Sequence, residues 1–291
     1  MRSARPAQEA AQIWDIATPA GPGRLPGVSM AGFRARTADA VELGVVPFPA
    51  VTVVVDLGDR SLAVDDLDGR RHHGVIVAGL AANGLRGSGR CVECLQIRLS
   101  PVVAHAVFGA SSELGGTVVS LDDLWGREAV RVQERLRAAG SWAERFALAE
   151  AALARRRQTG RPVDPEIAFV WQRMATHLGA VRVEPLAAEA GWSRKRLWSR
   201  FRSQTGLTPK HAARLIRFDH AAHRLAAGHS PALVAAEAGY TDQSHLHRDV
   251  RAFTGATPTA VSTAPWLAVD DVAWAAPGYL GGTPPRARAG R

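Results

Sequence analysis

From Val28 to Leu99 the apolar residues come in short alternating runs, and from Pro101 onward their spacing lengthens to three and four. Runs at 28–36, 51–57, 61–64, 74–80 and 90–99, broken by turn residues, predict the strands of a small barrel or sandwich. Asp68-Gly69 and Asn83-Gly84 between them are hairpin-type turn signals. Helices are predicted at 101–108, 121–138 and 141–157, the last with Trp142, Phe146, Ala149, Leu153 and Ala154 on one face. Polar Arg155–Pro162 reads as a linker. Asp164 is then expected to cap a new helix with Pro165 at its first position. Beyond it the pattern is helical throughout, over 165–178, 183–190, 194–204, 209–227, 231–238 and 242–253, with a short final helix. The expected class is α+β in two domains. Residues 1–160 form a β-barrel or sandwich (25–100) with trailing helices (101–158), and residues 161–262 are all-α. Residues 263–291 form a Pro/Gly-rich tail in which Trp266 and Trp274 are expected to fold back and the rest to be loose. Residues 1–25, rich in Ala, Pro and Gly, are expected to be poorly ordered, with docking at Ile13, Trp14 and Ile16.

One pattern occurs twice. Ala187-Ala188-Glu189-Ala190-Gly191-Trp192-Ser193 returns as Ala235-Ala236-Glu237-Ala238-Gly239-Tyr240-Thr241, and each copy runs on to a matching stop, Gly206-Leu207-Thr208-Pro209 and Gly255-Ala256-Thr257-Pro258. Small residues with Glu favour a short helix, and Gly with an aromatic favours a tight turn. Ser193 and Thr241 are then expected to cap a second helix by accepting a free backbone N–H. Each copy therefore predicts a helix-turn-helix, whose second helix suits a DNA major groove. In the first unit Leu186, Ala187, Ala190, Leu197 and Phe201 are expected to pack inward. That leaves Arg194, Lys195, Trp198, Ser199 and Arg202 outside, flanked by Arg200. In the second unit Val234, Ala235, Ala238, Leu246, Val250 and Phe253 pack inward, and Gln243, Ser244, His247, Arg248 and Arg251 point out. Arg and Lys suit guanine edges or phosphates, Gln suits adenine, and Ser and His donate at short range. The helix between the units, about 19 residues at ~1.5 Å each, spans roughly 28 Å. That is close to the ~34 Å between successive major-groove faces.

Charge supports a polyanion partner. Residues 1–181 hold 21 Arg and Lys against 19 Asp and Glu, whereas 182–262 hold 12 against 6. A basic excess confined to one segment is the footprint of nucleic acid. No signal peptide, no membrane span and no disulfide framework is expected from two cysteines, which together suggest a cytoplasmic protein.

The segment from about Ile167 to Ser262 resembles the tandem helix-turn-helix domain of AraC/XylS-family transcription regulators. The run Gly239–Arg248 is similar to that family's second-unit signature, and Gly255-Ala256-Thr257-Pro258 to its closing Gly-x-Thr-Pro. The resemblance implies base-reading positions at Lys195, Trp198 and Ser199, and at Gln243, Ser244, His247 and Arg248. Tyr240, Leu246 and Val250 stand where the family usually has Phe, which alters packing and not the reading faces. Residues 1–160 resemble, less specifically, the cupin-like sensor or dimerisation domains joined to such readers. Arg98-Leu99-Ser100-Pro101 and Leu121–Gly126 are similar to a sensor type common in actinobacterial members, which identifies no ligand. The implied partners are double-stranded DNA across two adjacent major grooves, a small-molecule effector, a second copy of the chain, and RNA polymerase, with no membrane.

Two rival functions remain. One is an enzyme with a metal-dependent N-terminal barrel tethered to a DNA reader, and the other is a DNA binder without sequence choice. Against the enzyme, Cys91 and Cys94 are three apart in an alternating strand and face opposite ways. His72-His73 lacks the His-x-His spacing of a cupin metal site. Gly84–Gly89 reads as a turn between strands and not a phosphate loop. No cofactor and no metal site is expected.

Overall fold

In the computed structural model the described residues are 13–21, 23–58, 62–66, 68–109, 112–262 and 265–274. Residues 1–12 and 275–291, including Arg286, Arg288 and Arg291, lie outside them. Two antiparallel sheets form the N-terminal unit. The larger has the order β1 (Trp14–Ala17), β2 (Val28–Ala35), β9 (Glu93–Leu99), β4 (Val51–Asp56), β7 (Val75–Ala78), β10 (Val118–Ser120). The smaller has the order β3 (Ala40–Gly44), β8 (Arg86–Arg90), β5 (Leu62–Asp65), β6 (Arg71–His73). Alternation along each strand splits the burial between two layers. Val51, Val53 and Val55 of β4 and Leu95, Ile97 and Leu99 of β9 join the helix-side core. The other face, with Val54, Cys94, Gln96 and Arg98, looks toward the smaller sheet.

The five expected strand regions are present, and β1, β3, β6, β8 and β10 are five strands beyond them. Trp14–Ala17 is a strand paired with β2 from Trp14↔Ala35 to Ala17↔Gly32, which bears out the docking expected of Ile13, Trp14 and Ile16. The Gly-rich run 84–89 is not simply a turn, because Arg86–Arg90 is the strand β8, paired with both β3 and β5. Asn83-Gly84 therefore closes no hairpin, whereas Asp68-Gly69 does join β5 to β6.

The helices follow: α1 (Pro101–Phe108), α2 (Leu121–Trp125), α3 (Arg127–Ala138), α4 (Trp142–Thr159) and α5 (Pro165–Thr176). Next come α6 (Val183–Glu189), α7 (Arg194–Thr205), α8 (Pro209–Ala226), α9 (Pro231–Glu237), α10 (Gln243–Thr254), α11 (Pro258–Ser262) and α12 (Pro265–Ala273). The expected linker at 155–162 is corrected: α4 continues to Thr159, with Arg155 and Arg156 ion-paired to Glu128 at 3.2 and 2.7 Å. Apolar packing also crosses this point, since one cluster joins Leu153, Ile167, Leu197 and Phe218. α1 packs on both α5 and α7. At the same contact a Cβ on Gly115 would come within 2.3 Å of the Gly206 carbonyl oxygen, so the approach there requires glycine. The tail is corrected in part. Pro265–Ala273 forms α12 where a loose tail was expected, while Trp274, just beyond it, folds back as expected and is buried with Trp14 and Phe33 in the N-terminal unit. No helix among the described residues is long and apolar enough to cross a membrane.

Candidate nucleic-acid interface

Each repeat folds as a short helix, a turn at a glycine with positive φ (Gly191 at 68°, Gly239 at 71°) and a longer second helix. The left-handed turn is where a side chain would cost most, which is why glycine recurs. Leu186, Ala187, Leu197 and Phe201 are buried in the first unit, and Val234, Ala235, Ala238, Leu246, Val250 and Phe253 in the second. Ala190 is only half-buried. Between the units, Ala212, Leu215, Ile216, Ala222 and Leu225 form the buried side of α8.

Ser193 caps α7, accepting from the Arg196 N–H at 3.2 Å. Thr241 does not cap α10, which corrects the sequence reading. Asp242 is the cap, its Oδ1 accepting from the His245 N–H at 2.7 Å. The physical reason is one extra residue. Ser193 is followed at once by the helix, whereas Thr241 is followed by Asp242 and only then by Gln243. The signal was in the sequence, since the repeats are offset by 48 residues before the turn and by 49 at the closing glycines. Asp164 stands at the N-cap of α5 with Pro165 after it, as expected, but its side chain makes no capping bond, because Arg200 Nε and Nη2 donate to its carboxylate at 2.7 and 2.8 Å. That bond holds the Asp164 carboxyl below its ordinary range.

Arg194, Lys195, Trp198, Ser199 and Arg202 all lie exposed on α7, and Gln243, Ser244, His247, Arg248 and Arg251 all lie exposed on α10. Trp198 is 46% exposed, so it is not buried against α6, and the Arg202 guanidinium lies 5.4 Å from its ring. The matched position between the faces carries a clamp of opposite sign in each unit. In α7 it is Arg200, tied to Asp164. In α10 it is Asp249, buried, accepting from Arg214 Nη2 at 2.8 Å and lying 3.6 Å from Arg217 Nη2. Arg217 also lies 4.6 Å from the Tyr240 ring, whose hydroxyl burial pushes up to about 12. Neither Asp249 nor its partners on α8 stood out in the sequence, because an Asp amid exposed polar residues looks solvated.

The other chemical candidates are dispersed. Cys91 is exposed and Cys94 buried. His72 Nε2 lies 2.9 Å from Asp66, and His73 is exposed beside it. Among the described residues no three His, Cys, Asp or Glu side chains converge as a metal site.

A family profile described as a helix-turn-helix domain matches residues 186–264. No curated protein matches the chain in sequence. Among solved structures, ToxT from Vibrio cholerae O395 is 10% identical, with a TM-score of 0.45 over 83% of this chain and 98% of that one. The C-terminal domain of AraT, a response regulator from Geobacillus stearothermophilus, is 19% identical over 34% of this chain and 85% of its own, with a TM-score of 0.33. The AraC-like transcriptional activator CuxR is 16% identical over 73% and 88%, with a TM-score of 0.26.

Proposed function

Residues 186–264 are an AraC-type helix-turn-helix domain, and on that premise we propose that the chain is a sequence-specific DNA-binding regulator of transcription. Its two reading helices enter adjacent major grooves. The observation that carries this reading is the exposure of all ten outward side chains on two capped, repeat-related helices. Phosphate contacts from arginine and lysine position the domain, and Gln243, Arg248 and Lys195 reach base edges. The N-terminal unit supplies control. Its cavity of about 120 Å³ between the two sheets is the place for a small effector. A second copy joined through residues 1–160 would turn binding at a paired site into an intramolecular event, gaining effective concentration without new contacts.

Binding titrations across salt, on duplexes from upstream of the neighbouring genes and on random duplex, test this. The expected slope of log affinity on log salt is roughly −0.9 per phosphate neutralised. A protected site that outcompetes random DNA supports the reading. Equal affinity for both makes the protein a non-specific binder, and stoichiometric zinc or iron in the purified protein revives the enzyme.

A further inference from the structure

The cavity between the sheets has mostly apolar walls, with Trp14, Phe33, Val54 and Leu62 among them, and a cation in its lining. That cation is Arg98, 2% exposed. Its guanidinium lies 3.7 Å from the centre of the Phe48 ring and 4.2 Å from that of Trp274. Nη2 donates to Asp270 Oδ1 at 2.7 Å, and Nη1 to Oδ2 at 3.4 Å. Both Asp270 and Trp274 come from the C-terminal segment, which follows the DNA-reading helices in the chain and also supplies Val269 to the cavity wall. The segment 269–274 thus places a carboxylate, an aliphatic group and an indole inside the N-terminal unit. An amphiphilic acid bound to that unit would offer the same groups.

A buried guanidinium is costly without a counter-ion, so whatever takes Asp270's place on Arg98 must be an anion. The adjoining walls are apolar, so its body must be apolar too. A dry cavity of about 150 Å³ accepts benzene, and this one is of that order, which limits the body to about one ring or a short chain. We propose that the C-terminal helix α12 is a tethered occupant of this site. The site takes a small apolar or aromatic monocarboxylate, whose carboxylate replaces Asp270 on Arg98. The inference rests on the reading of the N-terminal unit as the sensing part. It adds what is sensed and how the signal leaves. Asp270 Oδ2 also lies 3.6 Å from His223 Nε2 on α8, the helix that joins the two reading units. A ligand that takes Arg98 breaks the ion pair between the sheet and the segment that leans on α8. The reading units then lose one of their ties to the sensor.

Calorimetry on the full-length protein tests this with phenylacetate and hexanoate, using phenylacetamide as the neutral isostere. Wild type is expected to bind both carboxylates at least tenfold more tightly than the amide. Asp270→Asn, which removes the competing anion, is expected to bind the carboxylates at least a further tenfold more tightly with no gain for the amide. Arg98→Gln is expected to lose the preference for charge. Should the Asp270 variant fail to fold, amide exchange in wild type decides, since phenylacetate should speed exchange across 265–273. Equal affinity for acid and amide, absence of binding to wild type, or slower exchange in α12 would each overturn the proposal. DNA titrations on the same preparations separate the two readings. Specific DNA binding without carboxylate binding sinks this inference alone, and carboxylate binding without DNA binding sinks the regulator reading alone.

Discussion

Asp242 and Asp249 hold the second reading helix at its start and along its back, and neither faces outward to read bases. Asp242 satisfies a first-turn N–H of α10 and places a negative charge at the positive end of the helix. Asp242→Ala should therefore cost about 1 kcal/mol in urea unfolding, whereas Thr241→Ala should cost far less. Equal losses would return the cap to Thr241. The outward side chains behave differently. Gln243→Ala and Arg248→Ala should each lose about 1–3 kcal/mol on the specific site and relax base preference there. Stability should hardly change, because both side chains are exposed. Arg224→Ala, which breaks only an exposed pair with Glu237 on α9, should leave base preference intact. Competition titrations with single-base variants of the site would check this. If all three weakened specific and random DNA alike, the assignment of α10 as a reader would be wrong.

At the scale of elements, what was legible in the sequence followed the range of the interactions. The helices of 165–262 carry their burial code locally, every third or fourth residue, and their limits fall within a residue or two of expectation. β8 could not be found that way. Arg86-Gly-Ser-Gly-Arg has no apolar side chain, and its place is fixed by backbone bonds to β3 and β5. β1 depends on a partner strand across an intervening loop. α12 depends on Arg98, 172 residues earlier. The buried charges around α12 carry a pH prediction. Burial would lower the His223 pKa, but the Asp219 and Asp270 carboxylates outweigh it and raise it to about 10. Arg98 and His223 hold Asp270 below its ordinary value against burial. A raised histidine contributes stability in full below its unfolded value of ~6.5, and that contribution is lost as pH rises through about 10. Wild type should therefore lose stability between pH 7 and 10 relative to His223→Gln. Parallel unfolding curves for the two proteins over that range would show that the histidine is not charged by its neighbours.

Across the whole molecule, the N-terminal unit and the helix-turn-helix domain share packing. β9 carries Arg98 into the cavity and runs through Leu99 to Ser100, which caps α1 by accepting from the Val103 N–H. α1 then packs against α5 and the first reading helix, α7. α10 instead packs on α8, α9 and α11. The two second helices therefore stand differently toward the N-terminal unit, so the proposed effector would act by favouring one arrangement of them over another. The polar stretch Arg155–Thr159, expected as linker, is the end of α4, where Arg155 and Arg156 serve both the helix and its ion pairs with Glu128. Reading of DNA by two helices of one chain is tested by selecting bound duplexes from a random pool with the full-length protein. The expected outcome is an enriched site with two elements centred about 10 bp apart, one helical turn, of which Gln243→Ala degrades only one. Enrichment of no sequence, or of a single element that Gln243→Ala leaves unchanged, would contradict it.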